Sequence, residues 1–277
     1  MKKLLVRFLL LNLALLPLNP MPMNAHPAST EMAVAPASLN WSSENQQKID
    51  RFFFGGNLQG QVAVFDADDT LWRHDAGEAF MKFLLERNKL VNVPAGFDVF
   101  ANYEALCAQS KWLGYPYASQ AMAGMKVADI KALAKEFFTG PFQANIYPGQ
   151  RSLIQRLQRA GVEVWIVSAS PQWLIEQGAP YLGVPADHVV GVRLGEANGL
   201  ATPHVIPPMT FRQGKVEAIT KYIGKIPVLV AGDSITDFEM LKIASRLQLV
   251  INPKDKNAPE DNIFYQATQR GWPIQRW

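Results

Sequence analysis

The chain has 277 residues, of which 48% are hydrophobic and 18% charged; this excludes a disordered chain or a multi-pass membrane protein and allows one large core with an appended module. Its formal charge of +3, from 27 basic and 24 acidic residues, belongs to the first stretch, where Lys2, Lys3 and Arg7 meet no acid before Ala25. The remainder is balanced, so neither nucleic acid nor an anionic membrane is an expected partner.

Those three basic residues precede a leucine-rich run from Phe8 to Leu16, which Pro17 ends. The pattern is that of a secretory leader, with cleavage expected after Ala25 and a secreted or periplasmic product. The apolar run is about half the ~20 residues a bilayer span requires, so no stable membrane anchor is expected. Residues 26–40, rich in Ala, Pro and Ser, read as a flexible linker. A single cysteine, Cys107, excludes an intramolecular disulfide and reads as a buried residue.

From Val62 the run Val-Ala-Val-Phe ends abruptly at Asp66, as a buried parallel strand would. Further strands are expected at Val162–Val167, ending at Ser168, at Pro227–Ala231, ending at Gly232-Asp233, and at Leu249–Ile251. Amphipathic helices are expected at Gln150–Arg159, Gln172–Tyr181, Lys215–Ile223 and Phe238–Leu247. The alternation predicts an α/β fold, a parallel sheet with helices on both faces, whose ligand site lies at the carboxyl ends of its strands. Residues 79–146 interrupt it with helical character at Ala79–Asn88, Phe97–Trp112, Ala118–Met122 and Val127–Phe138. The expected organisation is therefore a leader (1–25), a linker (26–40), a core in two parts (41–78 and 147–277) and a helical cap (79–146) between them.

Four polar clusters stand at strand or helix ends: Asp66-Ala67-Asp68-Asp69-Thr70, Ser168-Ala169, Gly214-Lys215, and Gly232-Asp233-Ser234-Ile235-Thr236-Asp237. Each alone has an ordinary reading: Asp is common in turns, Ser168 and Asp233 could cap helices, and any surface lysine looks like Lys215. In this order, however, they resemble the four motifs of the haloacid dehalogenase superfamily, whose Rossmann-like core carries an inserted cap. The long helical insertion resembles the phosphoserine phosphatase-like subclass, and the segment details resemble bacterial secreted phosphorylcholine phosphatases.

The resemblance implies a phosphatase acting on a small-molecule phosphate monoester. Asp66 would be the nucleophile, since a carboxylate attacks phosphorus without prior deprotonation, and Asp68 the acid and base for leaving group and water. Ser168, the backbone of Ala169, and Thr70 would hold the phosphoryl oxygens, and Lys215 would neutralise them, with Lys221 and Arg212 as other basic candidates. Asp66, Asp68 through its carbonyl, Asp233 and Asp237 would bind Mg²⁺, a hard cation suited to oxygen ligands.

Substrate selection is expected in the cap and the loop after the nucleophile, with Trp72, Glu78 and Tyr103 as readers of a cationic leaving group. Tyr103, Trp112, Tyr115 and Tyr117 can form an aromatic surface for a quaternary ammonium or simply pack the cap, and Glu78 can equally support a helix N-terminus. The histidines show no metal-ligand spacing, and His74 reads as a loop residue. Alternatives are a phosphoserine-type or broad-specificity acid phosphatase and, from another class, a non-catalytic exported binding protein. Intact Asp66 and Asp68 speak against the last, while Asp68 and Asp233 speak against a dehalogenase. The leader and cap do not suit a signalling receiver domain.

Overall fold

The computed structural model describes residues 41–254 and 262–277; the leader, the linker and His26 lie outside the described residues. Seven strands form one sheet: β1 (Val62–Phe65), β2 (Glu163–Pro171), β3 (Val189–Ala197), β4 (Leu200–Ile206), β5 (Leu229–Gly232), β6 (Leu247–Ile251) and β7 (Ile274–Gln275). Their order is β4-β3-β2-β1-β5-β6-β7, and every neighbouring pair is parallel except β3 with β4.

The continuous apolar runs have a direct cause: both faces of the sheet are covered. Ala63 and Phe65 of β1, Leu229 and Ala231 of β5, and Leu249 and Ile251 of β6 enter one core. Val62, Val64, Val230 and Val250, on the alternate positions, enter a second core on the other face. The first face is packed by α1 (Ser43–Phe54), α6 (Pro148–Arg159) and α7 (Gln172–Gly178), and the second by α8 (Gln213–Ala218), α9 (Phe238–Ile243) and α10 (Ile263–Arg270).

Between β1 and α6 the chain forms α2 (Ala76–Glu86), α3 (Val99–Gln109), α4 (Lys111–Gln120) and α5 (Val127–Thr139). The single helix expected over Phe97–Trp112 is two helices that turn at Ser110. Its N–H closes α3 on Leu106, and its hydroxyl accepts from Trp112 N to start α4, as serine does at an N-cap. Met81, Val99 and Tyr103 form a small core of their own among these helices.

The hairpin β3–β4 was not expected, and it ties the cap to the sheet. Gly124 N donates to Ala201 O at 2.8 Å, Val127 N to Gly199 O at 2.9 Å and Ala201 N back to Met125 O at 2.9 Å. The Gln120 side chain adds a bond to Pro203 O at 3.0 Å. At the other edge of the sheet, Asn45 of α1 donates to Ile274 O at 2.8 Å and fixes the amino-terminal helix to β7. Among the described residues no helix is long and apolar enough to cross a membrane.

Candidate active site

Adjacent strands β2, β1 and β5 deliver their polar ends to one place. Asp66 follows β1 directly and is buried, its N–H held by Ala231 O at 2.9 Å. Lys215 reaches it from α8, donating to Asp66 Oδ1 at 2.5 Å and also to Asp237 Oδ1. Gly214 makes that approach possible, because a Cβ there would lie 1.8 Å from the Met209 carbonyl oxygen. The other basic candidates sit elsewhere: Lys221 is exposed and donates to Pro207 O, and the Arg212 guanidinium lies over the Phe211 ring.

The Asp68 carboxyl is held on both oxygens. Oδ1 accepts from Trp72 Nε1 and from Ala76 N, both at 2.8 Å, and Oδ2 accepts the Ser170 hydroxyl at 2.5 Å. Burial pushes its pKa up, opposed by the hydrogen bonds from Ser170, Ala76 and Trp72. Ser168 lies where the β2–β3 ladder loses register, between Val167 and Pro171. It is no helix cap: α7 begins after Pro171 without a side-chain cap, and Ser168 Oγ instead accepts from Ser170 N at 3.1 Å.

Asp233 is no helix cap either, since Ser234 takes that role in a capping box with Asp237. Asp237 Oδ2 accepts from the backbone N–H groups of Asp233 and Ser234, both at 3.1 Å. Gly232 lets this turn close, because a Cβ there would stand 2.6 Å from Asp237 Cβ.

Asp66, Asp233 and Asp237 each present an oxygen, and these atoms all lie within 4.8 Å of one another. One lysine cannot neutralise three carboxylates, two of them buried and Asp233 partly so. Burial, and then Asp237, push Asp66 up to about 8, and burial with Asp237 and Asp66 raises Asp233 well above the carboxylate range. Burial alone would lower Lys215, but Asp237 and Asp66 hold its ammonium protonated. A cluster of hard oxygen donors with excess negative charge fits a divalent cation. The Asp68 side chain is not part of it, being committed to Trp72, Ala76 and Ser170.

These groups open into a cavity of about 770 Å³, lined by Asp66, Asp68, Ser168, Ala169, Lys215 and Asp233 together with cap residues. Of the expected specificity residues, Glu78 and Tyr103 line it, with Tyr103 OH donating to Glu78 Oε1 at 3.2 Å. Glu78 also stands in the first turn of α2, whose cap Asp75 accepts from Glu78 N, as its reading at a helix N-terminus expects.

Trp72 does not line the cavity. It is fully buried against Phe138 and Phe142 with its indole N–H on Asp68, which corrects its assignment as a substrate reader. Thr70 is also fully buried away from the cavity lining, with its hydroxyl unbonded and its carbonyl accepting from Gln150, so it does not face a phosphoryl group. Of the four cap aromatics only Tyr103 and Tyr115 line the cavity; Trp112 packs edge-on against Phe211, and Tyr117 joins the cap's own core. Cys107, expected to be buried, is partly exposed and forms part of the wall.

Sequence reasoning missed Ser170, whose signal was its place two residues beyond Ser168 on the same strand face. It also missed Lys82, Lys111 and Lys254 on the cavity wall, the last paired with Asp69 at 3.2 Å. No pattern in the sequence distinguishes them from surface lysines.

A buried carboxylate bonded to a buried lysine, a second carboxyl two residues on and an acidic triad at the ends of parallel strands define a class. Residues 63–242 match the family model of haloacid dehalogenase-like hydrolases, and the chain belongs to that family. Within it the enzyme is a phosphatase. Phosphorylcholine phosphatase of Pseudomonas aeruginosa is 27% identical over 75% of this chain and 78% of its own. Phosphoserine phosphatase of Idiomarina loihiensis is 32% identical over 66% of this chain and 79% of its own. The fold is shared with a crystal structure of a Bordetella pertussis protein of unknown function, with a TM-score of 0.66 and 18% identity over 78% of this chain and 98% of that one.

Proposed function

We propose that this chain is an exported, Mg²⁺-dependent phosphomonoesterase that transfers the phosphoryl group of a small amino-alcohol phosphate to Asp66 and then to water. The observation that carries this reading is the Lys215 ammonium bonded to Asp66 and Asp237 in a cavity whose wall also holds Glu78 and Tyr103. Export is supported by the leader pattern at residues 2–16.

Asp66 Oδ attacks phosphorus, and Lys215 offsets the approach of two anions. Ser168 and the backbone at Ala169 face the phosphoryl oxygens from the cavity wall. As the P–O bond to the alcohol breaks, Asp68 gives its proton to the departing oxygen. In the second half it takes a proton from water, whose oxygen attacks phosphorus and releases Asp66 as a carboxylate. Asp66, Asp233, Asp237 and the Asp68 carbonyl would hold Mg²⁺, which supplies positive charge to the phosphoryl group when bound.

The leaving group is read at the cap. Glu78 offers a carboxylate, and Tyr103 and Tyr115 offer rings and hydroxyls, surroundings that suit an ammonium or quaternary ammonium. The names of the phosphorylcholine and phosphoserine phosphatase relatives support that class of alcohol.

The test is turnover of phosphocholine, phosphoethanolamine, phosphoserine and p-nitrophenyl phosphate by wild type and Asp66→Asn, with EDTA and with Mg²⁺ restored. Turnover that vanishes in Asp66→Asn, needs Mg²⁺ and favours the amino-alcohol esters is expected. Wild-type rates in the variant would remove Asp66 as nucleophile. Full activity without metal would remove the Mg²⁺ role, and equal kcat/KM on all four esters would remove the ammonium-reading cap.

A further inference from the structure

Asp68 serves both half-reactions, and its two oxygens are not equivalent. Oδ1 accepts the Trp72 indole N–H and the Ala76 backbone N–H, each at 2.8 Å. Both groups can only donate, so a proton on Oδ1 would face two hydrogens. Oδ2 accepts the Ser170 hydroxyl at 2.5 Å, and a hydroxyl can rotate. It donates when Oδ2 is bare and accepts when Oδ2 carries hydrogen.

The two sides differ in position as well. Trp72 is fully buried behind Asp68 and absent from the cavity wall, whereas Asp68 and Ser170 both line it. Trp72 is also locked in orientation by edge contacts with Phe138, at 5.4 Å between ring centroids, and Phe142, at 6.2 Å. Its N–H therefore points from a rigid core at one chosen oxygen. Ser170 N donates to Ser168 Oγ at 3.1 Å, which couples its backbone to the phosphoryl-facing serine.

We propose that Trp72 and Ser170 are positioning residues for the acid-base step: Trp72 pins Asp68 Oδ1, and Ser170 follows the hydrogen on Oδ2, so that Oδ2 is the oxygen that exchanges protons. This rests on the phospho-aspartyl reading above. In the first half the Oδ2–H bond breaks as the alcohol oxygen keeps the electron pair of the P–O bond and takes the proton. In the second half, water's proton returns to Oδ2 as its oxygen bonds phosphorus and the P–O bond to Asp66 breaks. Without the indole the carboxyl can turn, and without the hydroxyl Oδ2 loses the partner that accommodates both of its forms.

The alternative is that the indole bond only satisfies a buried N–H group. The two roles separate on leaving groups. A p-nitrophenolate departs with little need of a proton, while an alkoxide requires one. Wild type, Trp72→Phe and Ser170→Ala are compared by kcat/KM on p-nitrophenyl phosphate, phenyl phosphate and phosphoethanolamine with Mg²⁺ present. For each variant the loss should be at least about tenfold greater on phosphoethanolamine than on p-nitrophenyl phosphate, against the 10²–10⁴-fold that general acid catalysis supplies. An equal loss on all three esters overturns the proposal.

Ser170→Ala removes one oxygen and carries the test alone if Trp72→Phe does not fold. Rapid acid quench of the wild-type enzyme with radiolabelled ester distinguishes the two levels of the argument. Label absent from Asp66 overturns the phospho-aspartyl reading and this proposal with it. Label present with a uniform loss in the variants overturns this proposal alone.

Discussion

Lys215→Met keeps most of the lysine stem and deletes its charge. The side chain is 1% exposed, and its ammonium bonds both Asp66 and Asp237, so the substitution leaves two buried carboxylates facing each other. Breaking a buried pair in this way costs about 3–5 kcal/mol. The lower end, about 3 kcal/mol, is expected because burial already favours a neutral Asp66. The kinetic effect is larger, since nucleophile and phosphoryl group lose their shared cation. Removing one preorganised electrostatic partner costs roughly 10²–10³-fold in rate, so kcat should fall by at least about 100-fold. Urea unfolding reads the first quantity, and initial rates at saturating ester and Mg²⁺ read the second. A variant within about threefold of wild type in kcat would refute the counter-charge role, whatever its stability.

Gly214→Ala places a methyl 1.8 Å from the Met209 carbonyl oxygen; it should cost about 1–3 kcal/mol and lower kcat by misplacing Lys215, measured by the same two assays. Glu78→Gln should raise KM for phosphoethanolamine by about tenfold or more with little change for p-nitrophenyl phosphate, because only the former can meet the carboxylate with an ammonium. In EDTA, the Asp66 carboxyl, raised from 3.8 to about 8, holds a proton in the folded state that the unfolded chain releases. Its contribution to stability therefore declines as pH rises from about 4 to about 8, and Mg²⁺ should raise Tm more at pH 8 than at pH 5. A Mg²⁺ effect independent of pH would contradict this charge balance.

The chemical end of the site was legible because each part sits where a periodic apolar strand stops. Asp66 and Asp233 follow runs whose every residue is buried, so strand, edge and reactive group could be read together. Lys215 was legible only through its order and spacing among the other clusters; the steric reason for Gly214 beside it is seen only in the fold. Trp72 and Thr70 were misread because adjacency to Asp66 in sequence says nothing about direction; the loop after β1 turns both side chains into the core. The hairpin β3–β4 escaped notice because β4 lacks an apolar alternation and contains Pro203, and Asn198-Gly199 at its tip reads equally well as a loop. In the cap, Ser110 divides one amphipathic stretch into two helices, a break set by capping rather than by periodicity. Cavity walls assembled from several helices, as with Lys82 and Lys111, leave no contiguous signature.

The hairpin's bonds to Gly124, Met125 and Val127 make the far end of the cap a continuation of the sheet edge. Because α2 begins with Ala76 N on Asp68 Oδ1, the cap is clamped at both of its ends, once to the sheet edge and once to the strand ends. Glu78 and Lys82 reach the cavity from α2, which packs Ala76, Phe80 and Leu84 into the main core, and Tyr103 reaches it from α3. Under the function proposed above, Glu78 therefore meets the alcohol from a helix seated against the same frame that carries the strand ends. Chemistry and selectivity on that reading still occupy separate stretches of chain, strand ends for one and cap helices for the other, so a cap side chain can be exchanged for a new alcohol without replacing any residue around Asp66.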